Sequence, residues 1–197
     1  TLAPVDLREG PRQPGMGRPT RDERFGSWLA PFVMAPTNSA VVLRSHALLG
    51  RPWGRDFTYG ETMMTGDGLA GGVAAWGVTA GLAAVAGAAS FGPTRALLGK
   101  VIPKPGTGPS EEKQQAGWFD LRFVGRTGSG QEIHTKVTGD ADPGYGSTAK
   151  MLGESAVAFL DRDHRAVGGG FWTPASAFGD GLIERLESHA GVRFDVL

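Results

Sequence analysis

The chain of 197 residues contains no cysteine. That excludes disulfides, a thiolate nucleophile and zinc–thiolate sites. It is compatible with any compartment, and a cytoplasmic location, with or without membrane association, is expected. Net charge is lacking too, since 20 basic residues balance 20 acidic ones. The basic footprint of a nucleic-acid binder is absent, so no nucleic-acid partner is expected. The four histidines, His46, His134, His164 and His189, have no metal-ligand spacing, and no metal is expected. The chain opens on Thr1, and no signal-peptide pattern follows. Charge disappears entirely across residues 68–94.

What is abundant is glycine, 32 residues, with 13 prolines. Both are spread without a repeat, which indicates many loops and not a low-complexity segment. Residues 1–27 are rich in Pro, Gly and Arg and lack apolar periodicity. They read as an extended connector, leaving residues 28–197 as the folded part. Residues 28–36 are apolar and broken by Pro31 and Pro36, so an extended segment is expected there. Thr37, Asn38 or Ser39 could then cap a helix running from Val41 to Leu49 and ending at Gly50. Phe57 and Tyr59 alternate and predict a short strand.

The uncharged run 68–94 is long enough to cross a bilayer, which needs roughly 20 apolar residues. Its Ala and Gly content favours a buried small-residue helix or helix pair, with membrane or lipid contact as the alternative. Pro93 opens a further short helix to Leu98, and residues 103–117 form a polar loop. Near the end, Leu182, Ile183 and Leu186 make the apolar stripe of a helix over 175–189, terminated by Gly191. Residues 193–197 alternate and predict an edge strand.

The densest pattern runs from 117 to 160. Phe119, Leu121 and Phe123 share one strand face, and Ile133, Thr135 and Val137 share another. The turn Thr127-Gly128-Ser129-Gly130 supplies the positive φ that a hairpin connection requires. A loop of small residues, GDADPGYGST, then leads into a helix that Ser147 or Thr148 can cap. Such a loop presents free backbone N–H groups to an anion or a substrate carbonyl.

Three motifs tempt and fail. Gly66-Asp67-Gly68-Leu69-Ala70-Gly71 matches the dinucleotide fingerprint G-x-G-x-x-G. No Val/Ile-type strand precedes it, and no acidic residue for a ribose occurs between Asp67 and Glu111. Tyr145 and Lys150 have four residues between them, so they do not share a helix face as a Tyr-x-x-x-Lys pair would. His46 near Arg44 is the histidine in the most interesting setting, although a satisfied surface residue explains it. No catalytic constellation emerges from spacing alone.

Five blocks, in order, carry a resemblance: PFVMAPTNSAVVLRSHALLG, GRPWGRDFTYGE, GWFDLRFVGRTGSG, GDADPGYGSTAKMLGESAV and FWTPASAFGDGLIERLESHAG. Together they resemble the C-terminal half of the saccharopine dehydrogenase-like oxidoreductases, a group that includes the trans-acting enoyl reductases of bacterial lipid assembly. The resemblance covers nearly the whole chain, and the DPGYGSTAKMLGES block is its most specific part. It implies an α+β fold with a mixed, largely antiparallel sheet, helices on one face and the Rossmann half absent. It implies that residues 1–27 connect to an N-terminal nucleotide-binding domain and that residues 28–197 bind substrate and dimerise. NAD(P) is expected through that other domain, with none held by this chain alone. The implied partners are that Rossmann domain, a second copy and a lipid or membrane surface. The loop around 144–150 is the surface expected nearest the cofactor, with Gly144 towards it. Tyr145 would orient substrate, and Ser147, Thr148 and Lys150 would line the helix start. Asn38, Arg44, Tyr59 and Trp172 are further substrate-binding candidates. The uncharged 68–94 run fits an apolar, acyl- or lipid-linked substrate better than a charged amino-acid conjugate. A contrasting reading is a non-enzymatic interaction or membrane-surface module.

Overall fold

The computed structural model describes residues 10–15, 17–101, 108–161 and 168–197. The fold is α+β with antiparallel pairing throughout the described strands, arranged as two three-stranded sheets. The chain divides into two compact units, Thr1–Pro105 and Gly106–Leu197.

In the first unit β2 (Ser27–Pro31) is central, flanked by β1 (Thr20–Asp22) and β3 (Thr62–Met64). Leu29 lies opposite Thr20 on one side and Met64 on the other. The end of the segment read as a connector is thus drawn into a sheet. Pro31 closes β2 beyond its last pair with β1, so of the two flanking strands only β3 lies alongside it.

Helix α1 (Ala35–Leu48) begins six residues before the expected Val41. Pro36 sits in its first turn, where proline's missing N–H would have no intrahelical partner anyway. Thr37, Asn38 and Ser39 are therefore inside the helix and do not cap it. The expected strand around Phe57 and Tyr59 is irregular, and the strand forms afterwards, as β3.

Helix α2 (Gly68–Ser90) is unbroken and is followed by α3 (Gly92–Val101), which passes through the expected stop at Gly99. Only Gly71, Gly72 and Ala75 of α2 are buried. The expectation of a buried helix therefore fails for most of its length. Close packing is confined to the first turns, where a Cβ on Gly72 would lie 3.1 Å from the Trp28 ring.

In the second unit a short helix α4 (Glu111–Gln115) occupies the expected polar loop, capped by the Ser110 side chain. The hairpin forms as read: β4 (Phe119–Arg126) pairs with β5 (Glu132–Gly139), Leu121 opposite Val137 and Phe123 opposite Thr135. Gly130, at φ 83°, makes the turn. Helix α5 (Gly146–Asp161) follows, then α6 (Pro174–Phe178), α7 (Asp180–His189) and β6 (Val192–Val196). The single helix expected over 175–189 is two, because Gly179 adopts φ 58° between them. Thr173 and Ser176 close a capping box at the start of α6. Strand β6 pairs antiparallel with β5, as the edge strand expected there.

The core of this unit is Ala177, Phe178, Leu182, Leu186, Ala190 and Val192, packed against Phe119, Val137, Met151, Ala158 and Phe194. Burying a Leu or Phe contributes about 1.5–3 kcal/mol each. Phe159 meets Phe178 edge-on at 4.7 Å, and Arg185 Nε bonds Glu154 Oε2 at 2.7 Å, fastening α7 to α5. Leu121 and Ile133, farther along the hairpin, stay exposed.

Candidate functional site

The loop between β5 and α5 is held from several sides. Asp142 is its hub. Its backbone N–H donates to Gln114 O at 2.8 Å, and its carbonyl accepts from Ser147 N at 2.8 Å. Its carboxylate accepts from Tyr145 N at 2.7 Å. Gly117 passes so close that a Cβ there would lie 2.5 Å from Asp142 N. Asp142 thus places a carboxylate where α5 begins, the position an anion would otherwise take. A second anion there would meet like charge, so this helix start suits a neutral group better than a phosphate.

The predicted residues of this loop are brought together by it, in different roles. Ser147 is fully buried, and its hydroxyl donates to Ala141 O at 3.1 Å. Thr148 Oγ1 donates to Pro143 O at 2.6 Å. Lys150 Nζ is ion-paired with Asp140. Gly144 stands beside the Asp142 carboxylate, where a Cβ would lie 3.3 Å from Oδ2. Tyr145 packs its ring near Gly108 and leaves about half its surface exposed. It is the predicted loop residue best placed to meet a ligand. Trp172 lies on a separate segment ahead of α6, its indole N–H donating to Gly168 O at 3.3 Å.

In the first unit, Asn38 and Tyr59 converge on a residue the sequence reading passed over, Glu61. Asn38 Nδ2 donates to Glu61 Oε2 at 2.8 Å, and Tyr59 OH donates to Glu61 Oε1 at 2.6 Å. Gln13 joins them, its Oε1 accepting from Tyr59 N at 2.9 Å. Partial burial, then the bond and charge of Glu61, push the Tyr59 phenol well above its ordinary range. It is therefore held neutral. The signal was present in the sequence, because residues two apart in an extended segment point the same way. Arg44 lies on α1, two residues ahead of His46.

His46 is not a surface residue: it is 2 % exposed. Gly50 (φ 79°) and Arg51 (φ 63°) reverse the chain in left-handed conformations. The returning segment stacks Trp53 on the imidazole at 5.1 Å and sets Phe57 at 4.8 Å. His46 Nε2 lies 2.9 Å from Gly54 O, an acceptor, so Nε2 carries the proton. Nδ1 is buried without a hydrogen-bond partner among the described residues. His134 lies beside Glu132 at 3.5 Å, His189 is in the last turn of α7, and His164 lies outside the described residues. No group of three metal-ligating side chains occurs among the described residues.

The run 66–71 does not fit a dinucleotide. Gly66 O accepts from Trp28 N at 2.8 Å, and Gly66 N donates to Ser27 Oγ at 3.0 Å. A Cβ on Gly71 would lie 2.1 Å from Gly66 O. These glycines let α2 start against β2, so the protein's own packing accounts for them and leaves no phosphate cradle. Asp67 pairs with Arg21 at 3.0 Å; that hydrogen bond holds its carboxyl below the usual carboxylate range.

With this geometry in view, comparison with known proteins is informative. Proteins named trans-acting enoyl reductase from Mycobacterium tuberculosis (strain H37Rv) and Mycobacterium bovis are 40% identical to the chain over 185 residues, 89% of it. One from Mycobacterium ulcerans is 39% identical over 178 residues, 86% of this chain. The chain is a homologue of these proteins along most of its length. It spans less than half of theirs, 43%, 43% and 41% respectively. No known family profile matches the chain, and no solved structure matches it.

Proposed function

We propose that the chain is the C-terminal substrate-binding and assembly part of an NAD(P)-dependent enoyl reductase of the saccharopine dehydrogenase-like group. The observation that carries this is the identity of about two residues in five with trans-acting enoyl reductases, running through 89% of the chain. The poor fit of residues 66–71 to a dinucleotide supports locating NAD(P) on another part of a longer protein. Bound there, the cofactor would supply hydride for reducing a carbon–carbon double bond.

In this reading the 144–150 loop faces the cofactor. Gly144 permits close approach, and Tyr145 orients the substrate through its exposed phenol. Thr148 and Lys150 border the same surface. Ser147 and Asp142 are positioning residues, fixing the loop from beneath. Asn38, Arg44, Tyr59 and Trp172 are the remaining substrate-binding residues of the proposal, with Glu61 holding Asn38 and Tyr59 in place. The substrate is apolar, an acyl chain or lipid-linked group, since the chain's longest uncharged surface is that of α2. The exposed Leu121 and Ile133 of the hairpin are the proposed contact of a homodimer. The protein would work in the cytoplasm.

Calorimetric titration of NADH and NADPH into the chain alone and into the intact longer protein tests the reading. Binding to the longer protein only is the expected result. Tight binding to the chain alone would overturn the assignment of the cofactor to another domain, and no binding by either would overturn the oxidoreductase reading. The exposure of α2 favours a second role, lipid contact, which can accompany the first.

A further inference from the structure

We infer that the exposed length of α2 beyond Ala75, residues 76–90, is embedded in the hydrocarbon of a lipid bilayer. This deepens the lipid-contact part of the reading above and rests on that part alone. The first turns of α2 are committed to the protein, with Gly71, Gly72 and Ala75 buried. Beyond them the helix stands clear: Trp76 is 54% and Val85 51% exposed, as is Phe91, just past its end, at 62%.

Four observations select lipid as the occupant. First, the helix has no polar side. At 100° per residue, Val73 and Trp76 lie on one side while Val78, Leu82 and Val85 lie on the other. A helix resting on a water-facing surface needs a polar side, and a helix apolar all round belongs in a core or a membrane. It is long and apolar enough to cross a membrane, and only 17% of its apolar window is buried, so a core role is not met by the described residues.

Second, every hydroxyl in the uncharged run is satisfied from within. Thr79 Oγ1 donates to Ala75 O at 2.8 Å, Ser90 Oγ to Ala86 O at 2.8 Å, and Thr94 Oγ1 to Phe91 O at 2.9 Å. Hydrocarbon offers no outside partner, so groups placed in it must pair internally. Third, the flank is cationic. Arg95 and Lys100 are exposed on α3, and no acidic residue occurs between Asp67 and Glu111. That charge complements anionic lipid headgroups, and both side chains are long enough to reach them from below the interface. Fourth, Trp76 stands where the helix leaves the protein, a location suited to an indole at the headgroup boundary.

The test is flotation of the intact protein with phosphatidylcholine vesicles, with and without phosphatidylglycerol, in a sucrose gradient. Val85→Glu puts a charge on the exposed helix without touching its packing, and circular dichroism checks that it folds. The wild type is expected to float, better with phosphatidylglycerol, and Val85→Glu to lower the vesicle-bound fraction at least about tenfold. A dye on Val85→Cys, with any cysteine outside these 197 residues replaced, should be quenched by brominated acyl chains. Wild-type protein that stays in the aqueous fraction on both vesicle types overturns the inference. So does flotation indifferent to Val85→Glu, or a Val85→Glu effect on particle mass in place of flotation, which would mean that a second copy or another domain covers α2. None of these readouts uses NAD(P), so the enoyl reductase reading stands or falls separately.

Discussion

Ser147→Ala tests whether the loop before α5 is built as described, because it removes one atom from a site with no room for solvent. Ser147 is fully buried, and its hydroxyl donates to the carbonyl of Ala141, itself a buried residue. An ordinary intramolecular hydrogen bond contributes about 0.5–1.5 kcal/mol net, while an acceptor left buried and unpaired costs about 1–3 kcal/mol. No other described group is shown donating to Ala141 O, so the larger range applies: about 1–3 kcal/mol. With a urea slope of about 2 kcal/mol per molar, the unfolding midpoint falls by about 0.5–1.5 M. The chain has two units, so the global curve should be paired with hydrogen exchange read on residues 140–160. Faster exchange there, with the first unit unchanged, is the expected pattern. An unchanged midpoint and unchanged exchange, accompanied by loss of the proposed reductase activity in the intact protein, would refute the structural role and make Ser147 a substrate contact.

Two further predictions follow from the geometry. The Tyr59 phenol is neutral to higher pH than an ordinary tyrosine because the fold raises it. The stability contributed by that neutral form is complete below the unfolded value, about pH 10, and is lost as pH rises towards the folded one. Tyr59→Phe should therefore remove the late component of tyrosinate absorbance and flatten the alkaline fall in stability; an absorbance curve unaltered above the ordinary range would count against the Glu61 network. Gly191→Ala should destabilise the second unit by about 1–2 kcal/mol, from a left-handed φ of 66° and a Cβ placed 2.2 Å from the Asp140 carboxylate. Thermal unfolding measures it, and a change below about 0.3 kcal/mol would refute both the left-handed backbone cost and the contact with Asp140.

Much of the second unit was readable along the chain. Its strands carry alternating side chains around a glycine turn, its helices start at Ser, Thr or Gly, and α4, α6 and α7 end at or next to glycine. These are local rules, satisfied within a few residues. Where the reading slipped, the cause was context. Pro36 reads as the end of an extended segment, yet proline is accommodated in a first helical turn. Gly179 reads as one residue of a continuous helix, but its positive φ divides two. Glu61 escaped notice because its importance comes from Asn38 and Gln13, distant in the chain, as well as from its neighbour Tyr59.

The amino-acid sequence alone determined the hairpin and the loop-to-helix passage at 139–150, because periodicity and turn chemistry act locally, whereas the α+β class came through the family resemblance of its five blocks. The sequence also determined the uncharged character of residues 68–94, since composition needs no fold. Tertiary structure decided which of these surfaces are spent. Residues 66–71 have the spacing of a nucleotide motif, yet their backbone is bonded to β2. His46 reads as a surface residue, yet two left-handed residues fold an aromatic lid over it. The helix expected to be buried stands mostly exposed, because only its first turns find a sheet to pack on. Burial and hydrogen-bond satisfaction are properties of pairs brought together from distant positions, and no single stretch of sequence contains both members.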